Sequence, residues 1–352
     1  QVERVLAQAD SWQFDSWRLR DITHGHPLSA LGFYLIQRAG LIERLNLRPA
    51  ALARLLRHIE AGYNDNPYHN ATHAADVLQT LHVTIHGAQL HVHYLDQLGL
   101  LAAYFAAIVH DYGHPGLTND FLVATSDPLA VRYNDKSPLE NHHAAAAFGL
   151  LQRPELDVLT PLSKSERAAF RKQVIEMVLA TDVKQHFALL SQFNNTHRLA
   201  SFHMAPKPVD DMERLLTLQL AIKAADLGHL GEELEVHQRW LSSLEEEFFR
   251  QGDKERQLGL PISPLFDRGK QGVSKSQVGF YDFVALPLLH ALCSAFPGTQ
   301  PLMTCFMGNY HYWKSVEGNA TTLAQKRASV SIRPEGSASQ LPDLDREGKH
   351  KS

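Results

Sequence analysis

The chain has 352 residues, 44% hydrophobic and 20% charged, with a net charge of −4, which describes a soluble globular chain of one large or two modest domains. That mild acidity gives no reason to expect nucleic acid or an anionic membrane as partner. Two cysteines leave no room for a disulfide framework or a cysteine zinc site, so a reducing, cytoplasmic compartment is expected.

The unusual number is 21 histidines. Imidazole is a frequent proton carrier and metal ligand, so placement matters more than count. The chain opens at Gln1 with no charged start and apolar core, which is not a signal peptide, and it reads as a segment cut from something longer.

Residues 1 to 60 carry helical spacing, with Leu28 to Ala39 and Ala50 to Glu60 each opening beside a proline. The stretch Asn66-Pro67-Tyr68-His69-Asn70-Ala71-Thr72-His73 starts as a turn and becomes a helix. His69 and His73 are four apart, so both imidazoles can point into one cavity, as ordinary helix residues also can. Leu98 to Val109 is apolar on almost every side and belongs inside a packed core, yet it ends in His110-Asp111-Tyr112-Gly113-His114. Buried ionisable groups need a charge partner or a metal. The run is too short to span a bilayer, which takes about 20 apolar residues.

Pro115-Gly116 breaks that helix, and Ser137-Pro138-Leu139-Glu140-Asn141-His142-His143 enters another, with Glu140 and His143 on one face. Residues 166 to 190 predict one amphipathic helix containing Thr181-Asp182. The helix from Asp210 to Ala225 closes at Asp226, where an acid opposes the macrodipole and asks for a compensating cation. A helix from Glu233 to Gln251 and another starting near Ser276 follow. Residues 317 to 352 hold few large apolar groups and predict a disordered tail, in which Ser329 follows a short basic string. No alternating strand pattern occurs, and the expected fold is all-α.

Two imidazoles and two carboxylates, His73, His110, Asp111 and Asp226, suit a zinc-like ion. A carboxylate has a second oxygen, so Asp111 could bridge to a harder ion such as magnesium. His69, one turn before a candidate ligand, is placed to serve as an acid.

With these residues in view, the chain resembles the catalytic domain of the class I cyclic nucleotide phosphodiesterases. The signature HDxxHxxxxN is matched by His110, Asp111, His114 and Asn119, and YHNxxHAxDV by Tyr68 to Val77. LENHH is matched by Leu139 to His143, LATD by Leu179 to Asp182, EEFFxQGDxE by Glu246 to Glu255, and SQVGF by Ser276 to Phe280. Six motifs in order, from about Trp12 to Trp313, make the resemblance specific.

It implies a compact bundle of about sixteen helices, a catalytic domain over residues 1–316. It also implies zinc held by His73, His110, Asp111 and Asp226, with magnesium (or manganese) sharing Asp111. His114, Glu140, His143 and Thr181 would hold waters around the second ion. His69 would protonate the O3′ leaving group while a bridging hydroxide attacks phosphorus, giving a nucleoside 5′-monophosphate. Gln277 would read the purine edge, Phe280 would stack on one ring face, and Leu244 and Phe248 would close the other, with Tyr68 and His229 nearby.

Where the cAMP-specific branch has Asn-Pro, this chain has His229-Leu230, which leaves cAMP, cGMP or both as substrate. Gly113 stands where an acidic residue is common. Regulatory domains outside the segment are expected. A different HD-type metal phosphohydrolase, or a non-catalytic cyclic nucleotide sensor, are the competing readings.

Overall fold

The structure, a computed structural model, describes residues 1–199 and 207–331. Among the described residues there is no strand; they fold into eighteen α-helical segments, several of a single turn, joined by short 3-10 turns and, at Tyr281–Ala285, one π-helical turn. Residues Gln1–His311 form one packed unit. The expected all-α bundle is therefore what forms.

Four helices make the centre. Gln97–Val109 is buried from Gly99 onward, as its unbroken apolar sequence requires, and Asp96 caps it by accepting the Gly99 N–H at 2.7 Å. Ala71–Gly87 packs beside it, capped by Asn70, whose side chain accepts the His73 N–H. Lys164–Leu179 and Asp211–Asp226 complete the group. Phe105, Phe148 and Phe170 interlock between these layers, with ring centroids 5.3–6.3 Å apart. Burying a side chain of that size contributes roughly 1.5–3 kcal/mol. The consequence for chemistry is positional. His110 is the C-cap of one central helix, Asp226 the last residue of another, and His73 lies in the first turn of a third.

Two predicted elements differ. Residues 166 to 190 are not one helix: Lys164–Leu179 stops, and Asp182 caps a new turn by accepting the Lys184 N–H at 3.0 Å, before His186–Leu199 begins. Thr181 therefore sits in a break between helices.

The expected disorder from residue 317 is also corrected. The last helix, Gln300–Ser331, runs through it, and every described side chain from Glu317 to Val330 is exposed. Polar composition there gives a solvated helix instead of coil, with Ser329 donating to the Lys326 carbonyl. Residues 332–352 of the expected tail lie outside the described residues.

By length and composition the run Gln277–Ala295 could cross a membrane. One of its faces, carrying Tyr281, Ala285, Leu288, Leu289 and Leu292, is buried in the protein.

Candidate metal centre and nucleotide site

The four candidate ligands, drawn from three separate parts of the sequence, converge. Asp111 Oδ2 lies 3.1 Å from His73 Nε2 and 3.0 Å from His110 Nε2. Asp226 Oδ1 lies 3.2 Å from each of the same two nitrogens, which are 3.3 Å from one another. An ion about 2.1 Å from each of four tetrahedral ligands sets them roughly 3.4 Å apart, so the spacing fits zinc.

The tautomer fits too. His110 Nδ1 donates to the Ala107 carbonyl at 2.8 Å, leaving its Nε2 lone pair facing the cluster. Burial alone would raise the Asp111 carboxyl, but His110, His73 and His69 beside it hold it well below the usual carboxylate range. Asp226 is likewise lowered against burial by His110 and His73. Lys223, buried one turn before Asp226, donates to the Ala180 carbonyl at 3.3 Å and adds a cation close to that acid.

The free oxygen of Asp111 faces a second set. His143 Nδ1 donates to the Tyr112 carbonyl at 2.7 Å, so its Nε2 carries the lone pair, 3.6 Å from Asp111 Oδ1. Burial pushes His143 down to about 4, so it is neutral at pH 7. Two acceptors then face each other, an arrangement that calls for a donor water or a cation between them. His114 closes this side, its Nδ1 accepting the Gly116 N–H at 2.9 Å. Gly113 adopts φ +70°, a left-handed backbone that suits glycine and turns the chain between Asp111 and His114. Glu140 is buried and accepts both oxygens' bonds from Asn119 Nδ2 at 3.0 Å; burial raises it to about 7.

His69 is tied to Glu247 through its Nδ1 and stacks flat on His114, with centroids 3.9 Å apart. Burial would lower its pKa, but the Glu247 carboxylate lifts it to about 9, while Glu247 itself is held near 2. Glu247 lies inside the Glu246 to Glu255 motif, but nothing in the sequence assigned it a role. Its signal was a stripe on Leu234–Gln257: Glu247, Gln251 and Glu255 recur every four residues and are all buried. A polar run on an inward face marks groups with fixed partners.

The expected base-binding residues are only partly assembled. Phe280 lines a cavity of about 190 Å³ with Thr181, His186, Lys223 and Asp226. Gln277 is buried; its Nε2 donates to the Val273 carbonyl at 3.1 Å, and its Oε1 has no partner. Reversing the amide would set two acceptors against each other, so the carbonyl side is the free one.

Tyr68 packs its ring on His73, centroids 4.7 Å apart. His229 is buried with its Nδ1 3.2 Å from His237 Nδ1. Leu244 packs against the Trp17, Tyr68 and Trp240 cluster, and Phe248 stacks on Phe266 at 4.2 Å. Neither lines the cavity that Phe280 lines.

Comparison with known proteins gives the family of the chain. The family model for 3′,5′-cyclic nucleotide phosphodiesterase fits residues 68–306. The chain is 40% identical over 304 residues to the dual specificity calcium/calmodulin-dependent 3′,5′-cyclic nucleotide phosphodiesterase 1B of Mus musculus, covering 86% of this chain and 55% of that protein. It is 40% identical over 294 residues to the 1C protein of Homo sapiens, covering 83% of this chain and 40% of that one. The chain thus spans about half the length of these relatives. The crystal structure of the phosphodiesterase domain of the RhoPDE fusion protein from the choanoflagellate Salpingoeca rosetta superposes with a TM-score of 0.83 at 30% identity, over 92% of this chain and all of that one. With residues 68–306 matched and 92% of the chain superposed, the chain belongs to the 3′,5′-cyclic nucleotide phosphodiesterase family and carries its catalytic domain.

Proposed function

We propose that this domain hydrolyses 3′,5′-cyclic purine nucleotides, both cAMP and cGMP, to nucleoside 5′-monophosphates. The observation that carries this is the convergence of His73, His110, Asp111 and Asp226 within 3.0–3.3 Å, close to a His69 that Glu247 holds through Nδ1. Zinc is assigned to those four residues and magnesium, or manganese, to the side of Asp111 that faces His143. When bound, the two ions supply an activated hydroxide and neutralise charge on the phosphoryl oxygens.

The protein's own groups do the rest. Glu247 fixes the His69 ring through Nδ1, which leaves Nε2 to deliver a proton to the departing O3′. His114, Glu140, His143 and Thr181 hold waters around the second ion. Phe280 stacks on the purine and Gln277 Oε1 accepts a hydrogen bond from its edge. An acceptor suits the adenine amino group and the guanine N1–H alike, which supports dual use. The dual-specificity names of the relatives support it as well. The greater length of those relatives supports regulatory regions outside this segment. Two free cysteines support a cytoplasmic, reducing location.

The test is turnover of cAMP and cGMP side by side with magnesium, before and after strong chelation. Comparable rates on both, abolished by chelation and restored by metal, are expected. Binding of either nucleotide without turnover would favour a non-catalytic sensor instead.

A further inference from the structure

Behind the candidate metal centre lies a second pair of acids that the chemistry above does not use. Asp76 and Glu232 are 2% and 4% exposed, and their carboxyl groups lie within hydrogen-bond reach of each other. Each has one oxygen already satisfied. Asp76 Oδ1 accepts from Ser16 Oγ at 2.9 Å, and Glu232 Oε2 accepts from Trp240 Nε1 at 3.1 Å. Glu232 Oε1 is buried with no donor. Two buried carboxylates side by side cannot both ionise at modest cost, whereas one proton between them satisfies the orphan oxygen and removes the repulsion.

The placement of the pair gives it a role. Asp76 is one turn after His73 on the Ala71–Gly87 helix, and Glu232 ends the short turn Gly228–Gly231 that follows Asp226. One more turn along, Thr80 packs so close to Gly228 that a Cβ there would meet Thr80 Oγ1 at 2.5 Å. The helix face carrying His73, Asp76 and Thr80 therefore lies along the segment that carries Asp226.

We propose that Asp76 and Glu232 share one proton, and that this shared proton is a positioning contact joining the two segments that present His73 and Asp226. Asp15, from the cap of the Ser16–Ile22 helix, raises both acids, His73 lowers Asp76, and Asp76 in turn raises Tyr68. Burial first, then the neighbouring acid, raises Glu232 well above its ordinary 4.5. The two carboxyls titrate as one unit. The positioning half rests on the metal reading given above; the proton itself does not.

The unfolded chain gives up the Glu232 proton above about pH 4.5, while the folded pair keeps it, so the native state loses stability as pH rises. Glu232→Gln supplies a permanent donor to Asp76 and abolishes that loss. The test is thermal unfolding of wild type and Glu232→Gln between pH 5 and 9, with zinc retention against a chelator measured in both and in Glu232→Ala.

The expected result is a Tm advantage of Glu232→Gln that widens with pH. Zinc loss should occur at about tenfold lower chelator in Glu232→Ala, with wild-type retention restored in Glu232→Gln. A Tm difference independent of pH would overturn the shared proton, and this holds even if Glu232→Ala fails to fold. Wild-type zinc retention in a folded Glu232→Ala would overturn the positioning role. A widening Tm gap in protein that binds no zinc would support the proton and sink the metal reading.

Discussion

Glu247 holds His69 from three directions. Its Oε1 meets the imidazole Nδ1, and its Oε2 accepts the backbone N–H groups of both His69 and Tyr68 at 2.9 Å. The carboxylate thus fixes the ring, its tautomer and the strand of chain leading into it. Because Glu247 raises His69 to about 9, the alkaline limb of kcat should be set by this pair if His69 is the acid proposed above. Glu247→Gln should move that limb down toward the ordinary imidazole value of 6.5. The sign for stability follows from both partners: the pair's contribution is complete between about 4.5 and 6.5, and is lost as pH rises through about 9 or falls through about 2. A kcat–pH profile unchanged by Glu247→Gln would detach His69 from the proton transfer.

His69→Ala should lower kcat by roughly 10²–10⁴, the usual worth of a positioned acid, while zinc content and nucleotide affinity stay near wild type. The measurement pairs single-turnover kinetics with elemental analysis. Parallel loss of metal and turnover would make the residue structural.

Asp226→Asn removes one of two anionic donors from a cluster whose other charge is Asp111. It should strip zinc and reduce turnover more than about 100-fold with helicity retained. In wild type, chelation should lower Tm and added metal should restore it, since an ion bound only by the folded state stabilises it. Elemental analysis beside circular dichroism separates metal loss from unfolding.

Gln277→Ala should raise KM for cAMP and cGMP together, by about tenfold or more, because one buried acceptor serves both purines. A change confined to one nucleotide would show that the amide turns over between substrates, against its bond to the Val273 carbonyl.

Gly228→Ala places a methyl 2.5 Å from Thr80 Oγ1, so helix and turn must part. A destabilisation of about 1–3 kcal/mol in urea unfolding is expected, with weakened metal binding from displacement of the Asp226 segment. Unchanged stability would mean that the turn is slack.

The sequence showed a good deal of this. Leu98 to Val109 could only be an interior helix, and an imidazole and a carboxylate at its end had to find partners; they did, in His73 and Asp226. The break at Thr181-Asp182 was missed because amphipathic spacing runs through it, and only the Asp182 cap stops the helix. The solvated helix at 317–331 was missed for the opposite reason, since composition reports burial and says little about exposed backbone. Glu247 escaped because its partner lies 178 residues away, and pairwise meetings at that distance follow from packing, which local spacing does not encode.

That long separation also sets the order in which these groups are synthesised. His73, His110, Asp111 and Asp226 are all made before Glu247, so a nascent polypeptide can gather every candidate ion-binding group while its acid still lacks a counter-charge. On the reading proposed above, a chain that has yet to dock Leu234–Gln257 would hold its candidate ion ligands without the carboxylate that fixes and charges its acid.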